Sequence, residues 1–176
     1  MSEPAAQQGR TGVRVNTRGS GKANVSTGVA VFDHLLTELA GYAAFDLALD
    51  VEPGDADTEI AGAGRALGHA LAAELGAAGS RGHGSAAIPV EEALASVTLD
   101  RSERALVVTN VDLSSEHVGG VGTDLVDRFL RELAEGAGLT IHVRLVEGRD
   151  TTHVLEAIFK ALGVALGQAC GPLRKE

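Results

Sequence analysis

The stretch Phe32–Asp55, FDHLLTELAGYAAFDLALDVEPGD, is written a second time at Val126–Asp150 as VDRFLRELAEGAGLTIHVRLVEGRD. Asp33 pairs with Asp127, Leu36 with Leu130, Glu38 with Glu132, Leu39 with Leu133 and Gly54 with Gly148, all at an offset of 94 without a gap. After one inserted residue the match resumes at an offset of 95, where Ala66-Leu67-Gly68 meets Ala161-Leu162-Gly163. A period this long exceeds any solenoid unit and reads as a duplicated half-domain. Both copies share one grammar. Phe32, Leu35, Leu36 and Leu39, like Leu125, Phe129, Leu130 and Leu133, follow helical spacing. Strict alternation follows, Phe45-Leu47-Leu49-Val51 in one copy and Leu139-Ile141-Val143-Leu145 in the other, which is strand periodicity. A second helical stripe closes each unit, Ile60, Leu67, Leu71 and Leu75 against Leu155, Ile158, Leu162 and Leu166.

Outward from these units lie shorter β-rich stretches, GVRVNT and KANVST in the first half, then SAAIPV, ASVTLD and ALVVTNV. The pattern predicts an α+β sandwich of two similar sheets built from an internally duplicated half-domain, each sheet covered by its own helix pair. The expected division is a disordered leader over 1–10, a first half-repeat over 11–80, a second over 81–170 and a short tail over 171–176. Gly76 to Gly84, rich in Gly, Ala and Ser, is the natural junction.

Composition narrows the function classes. The 176 residues are 44% hydrophobic and 22% charged, a balance that buries a core. Aromatics are 3%, with no Trp and one Tyr, so stacking platforms for single-stranded nucleic acid are not expected. Fifteen Lys and Arg against 24 Asp and Glu give a formal charge of -9. No basic cluster is long enough to neutralise a run of phosphates, so nucleic acid is excluded as the expected partner. Cys170 stands alone, which rules out an internal disulfide and makes the cytoplasm the expected compartment. MSEPAAQQGR lacks the basic start and apolar run of a secretion signal, and no membrane partner is expected.

Among six histidines, three sit off the core stripes of repeat elements. His142 occupies an even position in a strand whose apolar residues are odd, sharing that face with Thr140 and Arg144. At 100° per residue, His153 and Glu156 project from the final helix about 60° apart, opposite Leu155, Ile158 and Leu162. His34 lies across its helix from Phe32, Leu36 and Leu39. A polar residue opposite a core stripe is what amphipathicity predicts of any surface helix. Three imidazoles and a carboxylate on non-core faces of neighbouring elements also suit zinc, manganese or iron. His69, His83 and His117 show no such grouping, and no glycine-rich loop has phosphate-loop spacing.

These residues carry a resemblance. STGVAVFDHLL, GSAAIPVEEALA, GTDLVDRFLRELAEGAGLTIHVRL and GRDTTHVLEAIFKAL resemble the imidazoleglycerol-phosphate dehydratase family from about Val13 to about Leu166. The resemblance implies a ribosomal S5 domain 2-like fold, with two four-stranded sheets each carrying two helices, and two manganese ions or other divalent transition metals. It places their ligands in a His-His-x-x-Glu motif in each half, with one further histidine from each half. His34 in FDHLL and His142 in LTIHV match the further histidines. The second motif reads Thr152-His153-Val154-Leu155-Glu156, keeping His153 and Glu156, while the first is held by Asp57, Thr58 and Ala61. The implied metal set is therefore His34, His142, His153 and Glu156, with His153 and Glu156 as the catalytic pair. Arg104 and Lys160 match basic residues beside the substrate phosphate. Gly82 replaces a family arginine, the N-terminal strand is abbreviated at Arg10 to Thr17, and CGPLRKE lacks the family's Ser-x-Lys end.

Two readings follow. One is a lyase of histidine biosynthesis that eliminates water from imidazole glycerol phosphate, or a related phosphorylated imidazole, with a divalent metal. The other is an inactive or repurposed paralogue serving as a structural or modulating subunit. The resemblance further implies a homo-oligomer, a trimer that gathers into a larger cage, with active sites at subunit interfaces.

Overall fold

Two aspartates one repeat apart start the longest helices of the chain. Asp55 accepts from the Thr58 N–H at the start of α2 (Ala56–Gly76), and Asp150 accepts from Thr152 and His153 at the start of α4 (Thr151–Cys170). Each fills an orphan donor position of a first turn. The shorter helices, α1 (Ala30–Ala43) and α3 (Asp124–Ala137), both stop on a left-handed residue, Ala44 at φ 57° and Gly138 at φ 72°. Glycine adopts that conformation without penalty and alanine does not. These elements belong to a computed structural model that describes residues 10–112 and 116–173.

The first half places β1 (Gly12–Asn16), β2 (Ala23–Ser26) and β3 (Asp46–Asp50) in the order β1-β3-β2, with β1 antiparallel and β2 parallel to β3. The second contains β4 (His83–Val90), β5 (Ala93–Arg101), β6 (Leu106–Thr109) and β9 (Leu139–Glu147), ordered β4-β5-β9-β6. A small hairpin, β7 (His117–Val118) and β8 (Val121–Gly122), precedes α3. The two sheets repeat each other: β3 corresponds to β9, β2 to β6 and β1 to β5. The first sheet has three strands among the described residues, against four expected. The expected leader lies outside the described residues up to position 9, as do the last three residues of the tail.

Helices pair across the halves, α1 on α4 and α2 on α3. Glycines make this possible. A side chain at Gly163 would meet the Leu39 carbonyl oxygen at 2.3 Å, and one at Gly167 the Ala43 carbonyl at 2.8 Å. One repeat earlier, Gly68 stands in the same relation as Gly163, 2.7 Å from the carbonyl of Leu133, and Gly64 one turn before it would meet the carbonyl of Phe129 at 2.7 Å. Phe32, Phe129 and Phe159 meet at the centre with ring centroids 5.6 to 6.0 Å apart. The outer sheet faces, with Arg14 and Asp50 on one and Thr98, His142 and Arg144 on the other, are exposed.

The junction is tied to the chain's end: the carbonyls of Ala169 and Gly171 accept from Gly82 and Arg81, and Gly79 accepts from Leu173, each at 2.8 Å. Helix α4 is long and apolar enough to cross a membrane by length and composition alone. Its packing against α1, β4 and β5 makes it a core helix.

Candidate metal and substrate site

Helix α1 enters along a fixed path because Thr27, fully buried, donates both its N–H and its hydroxyl to the Asp33 carboxylate at 2.7 and 2.6 Å. The next residue, His34, faces outward toward the N-terminal part of α4, where its Nε2 lies 3.2 Å from Glu156 Oε1. Two donors held side by side on one ion, each about 2.1 Å from it, sit about 3.0–3.4 Å apart. The pair makes an ordinary hydrogen bond at a spacing that an ion could also bridge. A cleft of about 280 Å³ opens at this point, lined by His34, Thr152 and Glu156 with Val31, Leu35 and Leu155 behind them.

His153, on the same turn, faces elsewhere. Its Nδ1 lies 2.7 Å from Oε2 of Glu92, a residue of the two-residue turn between β4 and β5. Glu92 Oε1 also accepts the backbone N–H groups of Asp150 at 2.8 Å and Arg149 at 3.2 Å. The Asp150 N–H, followed by the His153 ring, holds the Glu92 carboxyl down at about 2, and the same carboxylate raises the His153 imidazolium above its usual range. The pair stabilises the fold fully from above the ordinary carboxylate value of 4.5 to below the ordinary imidazole value of 6.5. Stability is lost below that window as Glu92 takes up its proton toward about 2. Above it, stability is lost as pH rises through the elevated His153 value. Urea titrations of the chelated protein across pH should therefore show both slopes shrink in Glu92→Ala; unchanged slopes would place the pair outside the folding equilibrium.

The remaining sequence candidates do not join this turn within one chain. His142 stands on the exposed face of the second sheet, opposite Thr98 on β5 and Val108 on β6, while α4 packs on the buried face with Ile141 and Val143. The expected quartet therefore divides: His34 meets Glu156, His153 meets Glu92, and His142 lies across a sheet from both. Among the described residues no cluster of three metal-ligating side chains forms. Arg104 occupies the β5–β6 loop, its carbonyl accepting from the Thr140 hydroxyl near the start of β9. At about 3.3 Å per residue, that is roughly 20–25 Å from the end of β9 that leads into α4. Lys160 is half-buried between α1 and α4, its Nζ 3.5 Å from Glu38 and 5.3 Å from the centre of the Tyr42 ring.

The two halves differ as donor sets. His34 and Glu156 fit two places on a divalent cation, while Nε2 of His153 is a further donor that faces elsewhere within one chain. The first-half positions do not: Asp57 faces Arg128 at 3.9 Å, Ala61 is buried and has no donor atom, and Thr58 carries only a hydroxyl. Glu92 was not legible as a site residue, because turn position and charge alone do not say which helix a turn will meet.

A duplicated α+β scaffold of two sheets and four helices paired across the halves defines the structural class. Residues 27–166 match the family imidazoleglycerol-phosphate dehydratase. The chain is 42% identical over 160 residues to the imidazoleglycerol-phosphate dehydratase of Acetivibrio thermocellus, covering 88% of this chain and 82% of that protein. It is 45% identical over 156 residues to the one of Syntrophobacter fumaroxidans, covering 86% and 79%. The crystal structure of the Staphylococcus aureus dehydratase superposes with a TM-score of 0.85 at 31% identity, over 93% of this chain and 95% of that one. The chain belongs to the imidazoleglycerol-phosphate dehydratase family.

Proposed function

We propose that the protein is a carbon–oxygen lyase of histidine biosynthesis that removes water from imidazole glycerol phosphate, with manganese or a similar divalent ion held by His34 of the first half and by Glu156 and His153 of the second. The observation that carries the metal reading is the 3.2 Å approach of His34 and Glu156 at the mouth of a cleft beside Thr152. A divalent cation bound there supplies positive charge that lowers the cost of an anionic imidazole ring, the difficulty of taking a carbon-bound proton. His34, Glu156 and His153 would hold and orient the ion, and we assign proton transfer to the carboxylate oxygen of Glu156 that does not hold it. Arg104 and Lys160 supply cationic charge for the phosphate. Lys160 is shared with Glu38, so the anion competes with that carboxylate for it.

His142 and Arg104 reach this turn only from another copy, because one chain holds them across a sheet or beyond the far end of a strand. We therefore assign the site to an interface within a homo-oligomer, a trimer or a cage built from trimers. The compartment we assign is the cytoplasm.

The test is direct. Purified protein supplied with manganese and imidazole glycerol phosphate should form imidazole acetol phosphate, stop with excess chelator, and resume when the ion is restored. No turnover at millimolar substrate and saturating ion would favour the second reading, a structural or modulating subunit. That reading draws on the buried Ala61, which leaves the first-half motif without its glutamate.

A further inference from the structure

The contact between Glu92 and His153 has a chemical direction. A carboxylate only accepts, so the hydrogen between Glu92 Oε2 and His153 Nδ1, 2.7 Å apart, belongs to the ring. The neutral imidazole is then the Nδ1–H tautomer, with the lone pair on Nε2. The other oxygen of Glu92 is fixed independently by the N–H groups of Asp150 and Arg149. The carboxylate is thereby clamped at one end while its other end sets the ring. The turn that presents it carries Glu91 at φ 51°, a conformation that L side chains rarely adopt, where glycine or asparagine would be relaxed.

A carboxylate near the start of a helix also has a simple electrostatic use, since it complements the dipole of α4. The backbone bonds of Oε1 would satisfy that use alone. They do not require Oε2 to lie against an imidazole whose neighbour one turn along, Glu156, lines the cleft. We propose that Glu92 is a positioning residue that holds His153 in the tautomer whose Nε2 can bind a divalent cation. The proposal rests on the reading of His153 as a metal ligand.

Glu92→Gln separates the two uses of the side chain. Its amide oxygen can still accept from Asp150 and Arg149, so the loop stays clamped. Its NH2 then faces Nδ1 and donates, which moves the ring hydrogen to Nε2 and closes that nitrogen to a metal. Nitrogen NMR of the full-length, chelated, histidine-labelled protein should show His153 protonated at Nδ1 in the native chain, at Nε2 in Glu92→Gln, and at Nδ1 again in Glu92→Asp. Calorimetry with zinc alone should show affinity falling on the order of 10–100-fold in Glu92→Gln, as for the loss of other carboxylates that orient ligating histidines. The urea midpoint should stay near the native value. An unchanged tautomer in Glu92→Gln, or unchanged affinity while His153→Ala loses it, overturns the role given to Glu92. Unchanged affinity in His153→Ala instead overturns the ligand reading beneath it.

Discussion

Gly163→Val should lower the unfolding free energy by about 3 kcal/mol or more, enough to leave a marginally stable domain partly unfolded. The cause is contact with main chain. A Cβ at Gly163 would lie 2.3 Å from the Leu39 carbonyl oxygen and 3.1 Å from its carbonyl carbon, and backbone of α1 cannot rotate away as a side chain could. Helix propensity opposes the effect, since replacing an interior glycine by alanine gains about 1 kcal/mol and valine somewhat less. The clash wins because the two helices must separate along their whole contact, including Gly167 against Ala43. Gly41→Ala supplies the control: this glycine lies inside α1 with nothing within 4 Å of a new Cβ. It should be neutral or stabilising by up to about 1 kcal/mol. Urea unfolding of the two variants decides the matter, and a native-like midpoint for Gly163→Val would mean that α1 and α4 do not approach as closely as described.

Thr152→His should tighten divalent-ion binding by on the order of 10–100-fold, the range in which single changes around a metal move affinity. Thr152 lines the same cleft as His34 and Glu156 and projects from α4 about 40° from Glu156, so an imidazole there adds a third strong donor to a pair already spaced for a cation. The helix start survives the change, because the bond from Thr152 to Asp150 uses its backbone N–H. Calorimetry with manganese or zinc reads the gain, and a rise in melting temperature with added ion should accompany it. Thr152→Ala should bind as the native chain does. Equal affinity for all three would remove the cleft from consideration as the metal seat.

The duplication made the fold readable. Hydrophobic spacing alone places α1 to α4, because residues such as Leu36 and Leu130 or Leu67 and Leu162 are core positions whose period shows in sequence. The way the halves interlock was not readable: Gly64, Gly68, Gly163 and Gly167 matter through the carbonyls they meet, and a hydrophobic pattern is silent on what lies opposite a glycine. The site was half legible for a related reason. Periodicity shows that His34, His142, His153 and Glu156 are off the core, but it cannot say which sheet face looks toward which helix. His142 and α4 flank one sheet from opposite sides, and only the topology separates them. Glu92 stayed hidden because its partner lies 61 residues away, joined by a turn and a loop that carry no period.

The seating of Gly163 on Leu39 reaches beyond packing. Glu156 and Gly163 are seven positions apart on α4, about two turns or 10 Å, while His34 and Leu39 ride together on α1. The gap between the two donor groups is therefore calibrated from a distance, by backbone touching backbone, with the glycine acting as the stop of a ruler. Thickening that stop by a single methyl should detune the grip on an ion even where every group that touches the ion is left as it was.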